Sequence, residues 1–306
     1  MLVAAGLGTR LDPLTRELPK PALPLANRPV AWFSLDHLAR AGFTDVVVNT
    51  HHLAERLRTE LGGVCPPGVQ LRFTHEPRIL GTGGGVRHAW QPRADEDFMV
   101  VNAKLLFAPD LARALQVHRA TGAIATMVLC PLPSGSTFAT VEVDAEGAVR
   151  RIRGLPSASE PGHVARMWSG VQVLSARAWQ DLPLEGDMIE HAYLKWLARG
   201  EVVASVTDAS PFFDVGVTLA HYLEANLALA TGRVRWPGIE PSAGGVLCAS
   251  GVQLGAGSVI EASVLGHGAV IADHVRLEQV VVWPGAQVTT SLTRAIVTTQ
   301  GHVVHC

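Results

Sequence analysis

Charge is scarce in this sequence. Only 17% of the residues are charged, and 25 Lys and Arg against 27 Asp and Glu give a formal net charge of -2. No cationic surplus is present to neutralise a polyphosphate backbone, so nucleic acid is not expected as a partner. Disorder is excluded from the other side, because 48% of the residues are hydrophobic. Cysteines are few and far apart: Cys65, Cys130, Cys248 and Cys306 form no C-x-x-C pair, which argues against a disulfide framework and a zinc site. No apolar run approaches the roughly 20 residues that cross a bilayer. The opening MLVAAGLGTR also lacks the basic start and long apolar segment of a signal peptide. No membrane partner is expected, and the cytoplasm is the expected compartment. His51 and His52 follow a strand and are read as capping or surface groups, and His267, His274, His302 and His305 show no metal-ligand spacing.

What is present is alternation. Short β-rich runs, Leu2 to Ala5, Val46 to Asn49, Val69 to Thr74 and Phe98 to Val101, are separated by stretches with helical spacing. That order predicts βαβ crossovers and an α/β domain whose mixed, mainly parallel sheet is covered on both faces. Helices are expected from Asn27 to Gly42, His52 to Leu61, Pro109 to Thr121, Met188 to Ala198 and Leu219 to Ala230, with antiparallel additions at Thr140 to Asp144 and Gly170 to Leu174. After Trp236-Pro237-Gly238 the helical spacing stops, placing a boundary between residues 1–236 and 237–306. Stepping by six from Val246 reaches an aliphatic residue at six of nine positions up to Arg294, and at each miss the next residue is apolar, namely Val259, Leu277 and Ala295. Three hexapeptides per turn predict a left-handed parallel β-helix, whose coils cannot stand alone.

The chemistry concentrates in the turn after the first strand, Ala5-Gly6-Leu7-Gly8-Thr9-Arg10. Glycines there let backbone N–H groups approach phosphate oxygens, while Thr9 adds a hydroxyl and Arg10 a fixed cationic fork. The turn lacks the third glycine of a dinucleotide fingerprint and the Gly-Lys-Ser/Thr ending of a P-loop. Farther along, Pro19 and Pro21 brace Lys20, which stiffens the backbone and aims a flexible ammonium at a fixed point.

The full run from Gly6 through Asp12-Pro13-Leu14-Thr15 to Pro19-Lys20-Pro21-Ala22-Leu23-Pro24 resembles the signature of the sugar-phosphate nucleotidylyltransferases, and the likeness extends to about residue 230. The resemblance implies a Rossmann-like nucleotidyltransferase domain that binds nucleotide at the C-terminal ends of its strands. The expected reaction joins a nucleoside triphosphate to a sugar 1-phosphate, giving an NDP-sugar and pyrophosphate. It implies nucleotide contacts from Ala5, Gly6, Gly8, Thr9 and Arg10, with Arg10 and Lys20 acting on the phosphates during transfer. Glu76, Gly81, Thr82 and Gly83, within EPRILGTGGG, are expected around the base and ribose, and Asp214 in Phe213-Asp214-Val215-Gly216 is expected to hold Mg²⁺. The LGTGGG segment and the coil resemble mannose-1-phosphate guanylyltransferase-like proteins. The short central region without a Glu-Lys-Pro element looks closer to N-acetylmuramate-1-phosphate uridylyltransferase. Assembly as a dimer through the coil surface is expected.

Two adjacent positions, Ala103 and Lys104, depart from the family pattern. Relatives place Asn-Gly-Asp where this chain reads Asn102-Ala103-Lys104, and that aspartate is the second magnesium ligand. A protonated lysine cannot ligate Mg²⁺, but its ammonium in the same neighbourhood can pair with Asp214 and with phosphate oxygens. The readings are a weakened or metal-independent transferase, a nucleotide-sugar-binding subunit without turnover, or an altered sequence. Arg150, Arg151 and Arg153 occupy the stretch of the missing Glu-Lys-Pro element, where a solvated strand face is expected. The sugar-phosphate contacts are left unassigned.

Overall fold

The computed structural model describes residues 1–91, 96–133, 139–156 and 160–306. A nine-stranded sheet forms the body, in the order Val149–Ile152, Thr140–Val143, Val164–Leu174, Phe98–Asn102, Leu2–Val3, Asp45–Thr50 and Gln70–His75. Ala125–Pro131 also pairs with Val164–Leu174, and Val203–Thr207 pairs with Ala125–Pro131. Following the pairings outward from Leu2–Val3, only Val164–Leu174 and Val149–Ile152 run against the rest. The sheet is therefore mixed and mainly parallel. Its inner strands carry apolar residues on both faces because helices cover both sides, with Val46, Val47 and Val48 at most 1% exposed.

The helices lie close to their predicted spans: Val30–Arg40, Ala54–Gly62, Leu111–Thr121 and Leu219–Ala230. Thr218 caps the last one by accepting from His221 N at 3.1 Å, a contact worth about 1 kcal/mol. The segment Met188 to Ala198 starts as a wide π-turn over Ile189–Tyr193 before becoming regular. No helix among the described residues is long and apolar enough to cross a membrane.

Beyond Trp236 the chain becomes a stack of short strands, parallel except for the last, Val303–His305, which pairs antiparallel with Leu292–Val297. Leu247 lies opposite Val264, Val264 opposite Val281 and Val270 opposite Gln287, an offset of 17 residues, which shortens to 15 where Leu277 meets Leu292. The hexad count therefore needs correction. Interior residues Leu265, Ile271, Leu277, Val282 and Val288 advance by six except for one step of five. The short side turns through left-handed corners at Ala262, Gln279 and Arg294. An uninterrupted count of six lands one residue early before this corner and in register after it.

Position 236 does not divide the core. Leu11, Leu14, Leu18, Leu23 and Leu25 of the signature run pack with Leu223, Trp236, Val264, Val281, Trp283 and Ile296 in one buried cluster. Trp283 Nε1 donates to the Tyr222 hydroxyl at 3.0 Å, and that hydroxyl donates to the carbonyl of Pro24. The leucine spacing of the signature run thus has a physical purpose: it pins an otherwise irregular loop between the last helix and the coil.

Candidate active site

A cleft of about 300 Å³ opens at the C-terminal ends of the parallel strands. Strand Leu2–Val3 delivers Ala4, Ala5 and Gly6 to its floor, and strand Asp45–Thr50 places Asn49 there, one residue before its end. Asn102 and Lys104 come from the end of Phe98–Asn102, and Lys20 enters from the signature run. Gly8 is buried in a left-handed turn at φ 76°, and an added Cβ would stand 2.8 Å from Thr15 Cγ2 and 3.3 Å from Lys20 Cβ. Glycine is needed there to fold the loop against its lysine. The backbone N–H groups of Ala5, Gly6 and Leu7 make no hydrogen bond to protein among the described residues. Ala5 and Gly6 line the cleft and Leu7 the neighbouring concavity, so two successive free donors at the cleft floor, with a third next to them in the chain, suit an anion.

Lys20 and Lys104 converge on Gly216. Lys20 Nζ donates to the Gly216 carbonyl at 3.2 Å. A Cβ built on Gly216 would stand 2.8 Å from Lys20 Cδ and 2.9 Å from Lys104 Cδ. Burial, then the neighbouring Lys104 and Arg10 against the opposing pull of Asp214, bring the Lys20 ammonium down to about 8. Lys104 Nζ donates to Asp214 Oδ2 at 2.5 Å, while Asp214 Oδ1 accepts from Gly216 N at 2.9 Å. Both carboxylate oxygens are therefore engaged, one by a cation. Nor is any group of three His, Cys, Asp or Glu assembled for a metal ion among the described residues. These donors do not fit a divalent ion at Asp214, in contrast to the role expected from sequence.

The structure redistributes several expected nucleotide contacts. Ala5, Gly6, Lys20, Glu76, Gly81 and Thr82 line the cleft, whereas Thr9 lines a separate concavity with Leu7, Asp12 and His52. Arg10 is exposed and has no hydrogen bond or ion pair among the described residues. Glu76 is fully buried, with Oε1 accepting from Asn49 Nδ2 at 2.6 Å and Oε2 from Leu80 N at 3.0 Å. Its carboxylate holds the wall together, with one bond to each oxygen and no exposed surface. Gly83 sits behind the wall, where a Cβ would stand 2.7 Å from Pro183 Cγ. Gly83 is glycine because helix Gly81–Ala89 packs on the 183–186 loop, a correction to the expected ring contact. Thr82 donates its hydroxyl to Asp187 Oδ2 at 3.1 Å and accepts from Met188 N at 2.8 Å, which ties the same helix to the same loop.

Asn49 was not anticipated. Its Oδ1 accepts from Ala4 N at 2.7 Å while its amide holds Glu76. The only sequence signal for it is a polar residue closing an apolar strand. The histidines take bonding roles: His51 Nδ1 meets the Glu76 carbonyl at 2.8 Å, and His52 Nε2 the Thr15 carbonyl at 2.9 Å. Arg150 pairs with Asp144 at 2.6 Å, Arg151 with Glu142, and Arg153 with Glu190 at 3.6 Å, so each guanidinium has a carboxylate partner. Burial pushes the Cys130 thiol up to about 12, and raises the other three as well, which leaves no activated thiol.

Comparison with known proteins yields consistent matches. The family model described as nucleotidyl transferase matches residues 1–232. The chain is 28% identical over 292 residues to a mannose-1-phosphate guanylyltransferase of Mycobacterium tuberculosis, covering 94% of this chain and 80% of that one. An N-acetylmuramate alpha-1-phosphate uridylyltransferase of Neisseria meningitidis is 37% identical over 117 residues, 38% of this chain and 51% of that protein. Among solved structures, HddC from Yersinia pseudotuberculosis complexed with GMP-PN superposes with a TM-score of 0.59 at 20% identity, covering 74% of this chain and 96% of that one.

Proposed function

The chain belongs to the nucleotidyl transferase family, and we propose that its cleft joins a nucleoside triphosphate to a sugar 1-phosphate, releasing pyrophosphate and giving an NDP-sugar. The observation that carries this reading is the meeting of the free backbone N–H groups of Ala5 and Gly6 with Lys20 and Lys104 in the lining of one cleft. GTP and mannose 1-phosphate are the first pair to try, supported by the mycobacterial relative that spans nearly the whole chain. UTP with N-acetylmuramate 1-phosphate is the alternative, supported by the Neisseria relative and by the absent Glu-Lys-Pro element.

In this reaction an oxygen of the sugar phosphate attacks the α-phosphorus in line. A new P–O bond forms as the bond from the α-phosphorus to the bridging oxygen breaks, and pyrophosphate leaves with that electron pair. No protein nucleophile is required, so catalysis consists of positioning and charge stabilisation. The amides of Ala5 to Leu7 and the unpaired Arg10 bind the triphosphate, and Lys20 follows the transferring phosphates. Enzymes of this family generally use a divalent metal, but the donors around Asp214 do not fit one.

In the same reading residues 237–306 form a left-handed parallel β-helix beside a nucleotidyltransferase domain of residues 1–236, and two copies pair through the coil. Its repeated strand offset and the exposed Leu254 and Val259 support this. Light scattering of Leu254→Lys with Val259→Lys would then return a monomer. A cytoplasmic location suits both substrates.

A pyrophosphate-release assay over the nucleoside triphosphates and a panel of sugar 1-phosphates, with wild type beside Lys104→Asp, tests the activity. Wild-type turnover supports the transferase. Turnover only after the substitution would leave a nucleotide-sugar-binding subunit, the second reading, which the Lys104–Asp214 pair favours.

A further inference from the structure

Lys104 is tethered opposite Asp214 by backbone as well as by charge. Asp214 pairs with Leu105 across a short antiparallel ladder, and the Lys104 carbonyl accepts from Val215 N at 3.0 Å. The lysine Cα therefore cannot leave the neighbourhood of the carboxylate, although four methylenes let its ammonium swing. The pair is only partly screened, with side-chain exposures of 29% for Lys104 and 12% for Asp214, so local charge acts at a reduced effective dielectric.

Leaving aside the exposed Arg10, which also bears on Lys20, the charges of Lys20, Lys104 and Asp214 sum to +1. With an aspartate at position 104 the sum would be −1, and one bound divalent ion would bring it back to +1. The lysine changes the fixed charge by the charge of one such ion. Gly216 leaves room for both lysine stems, since any Cβ there would press on each of them. A divalent ion seated at Asp214 would have to displace an ammonium and then face two, whereas a polyphosphate is attracted by both.

We propose that Lys104 is a built-in counter-charge: the cleft takes its nucleoside triphosphate with no divalent ion at Asp214, the Lys104 ammonium passing from that carboxylate to phosphate oxygens. The proposal rests on the reading of the cleft as a triphosphate site. Asp214 then serves as the resting partner of Lys104, holding the ammonium at the floor until an anion arrives. Its removal should strengthen anion binding, which is the opposite of what loss of a metal ligand does.

Calorimetric titration of the full chain with GTP and, in parallel, UTP tests this in EDTA and in magnesium chloride. Wild type is expected to bind at least as tightly in EDTA as in magnesium. Lys104→Met should lose about tenfold in EDTA, the worth of one charge-assisted contact. Lys104→Asp should bind only in magnesium. Asp214→Asn, which preserves shape and so guards against a folding failure at position 104, should bind a few-fold more tightly in EDTA. Wild-type binding confined to magnesium, or an unchanged EDTA affinity in Lys104→Met, overturns the counter-charge and leaves the triphosphate site standing. Weaker binding by Asp214→Asn overturns it as well. No association of either nucleotide under any condition overturns both.

Discussion

The two walls of the cleft handle their polar groups in opposite ways. On one side Lys20 has one carbonyl and the N–H groups of Ala5 and Gly6 have no acceptor among the described residues, and Arg10, outside the cleft lining, has no partner there either. On the facing side, both oxygens of Glu76 and the hydroxyl of Thr82 are already satisfied, and Gly83 is spent on packing against Pro183. One wall keeps charge in reserve, and the other converts its polar residues into shape. The expected ligand has the same two ends, since a triphosphate is recognised by charge and a flat base by the surface it lies on. Between them stands the Lys104–Asp214 pair, where charge is held but can be released.

If the shape wall is structural, its loss should be read in stability before affinity. Glu76→Ala deprives the buried Asn49 amide and the half-buried Leu80 N–H of their acceptor, which costs about 3 kcal/mol at most. Urea unfolding should show the loss, while nucleotide affinity of the folded fraction stays within about threefold of wild type. A stable Glu76→Ala protein that no longer binds nucleotide would break the contrast between the walls.

The next largest effect belongs to the charge wall and has the reverse signature. Lys20→Met should weaken triphosphate binding roughly fiftyfold with no loss of stability, because burial already disfavours that ammonium. An unfolding midpoint well below wild type would make Lys20 a structural residue. The same group sets a pH dependence. Held down to about 8 by burial, with Lys104, Asp214 and Arg10 around it, Lys20 is protonated below that value and neutral above it. Triphosphate affinity should therefore fall as pH rises, by up to about tenfold from pH 7 to 9. The drop should be absent from Lys20→Met, and titrations of both proteins across that range would show whether Lys20 is its source.

How far each wall was legible follows from the length over which its contacts act. The charge wall is local: the strand, the glycine turn and the proline-braced Lys20 lie within the first 21 residues, and the opposition of Lys104 to Asp214 was readable from their places in the family pattern. The shape wall is assembled from afar. Glu76 is completed by Asn49, 27 residues earlier, and Thr82 by Asp187, 105 residues later. Neither partner carries a motif, so the glycines of LGTGGG read as ligand contacts when Gly83 faces Pro183. The coil shows a third case. Its apolar recurrence was visible, but a single side of five residues shifts the count, and only the strand pairings show a turn of 17. Strand Ala125–Pro131 escaped notice because an apolar run buried on both faces carries no period of its own, and Val203–Thr207 because five residues reading VASVT are too short and mixed to show one.

The smallest effect sharpens the contrast most, because it separates a wall that is shaped from one that binds. Thr82→Val keeps the side-chain volume but removes the hydroxyl that accepts from Met188 N and donates to Asp187. The valine methyl offers neither function, and the lost pair is worth about 1 kcal/mol. The consequence should appear at a distance from the substitution. The 183–186 loop, on which Gly81 and Gly83 are seated, loses one of its ties, while Gly83 N still donates to the Gly186 carbonyl at 3.0 Å. Amide exchange at Met188 should then quicken about fivefold, as a 1 kcal/mol easier opening requires, with nucleotide affinity nearly unchanged. Unchanged exchange together with a clear loss of affinity would mean that the Thr82 hydroxyl touches the ligand itself, and the facing wall would have to be counted among the binding groups.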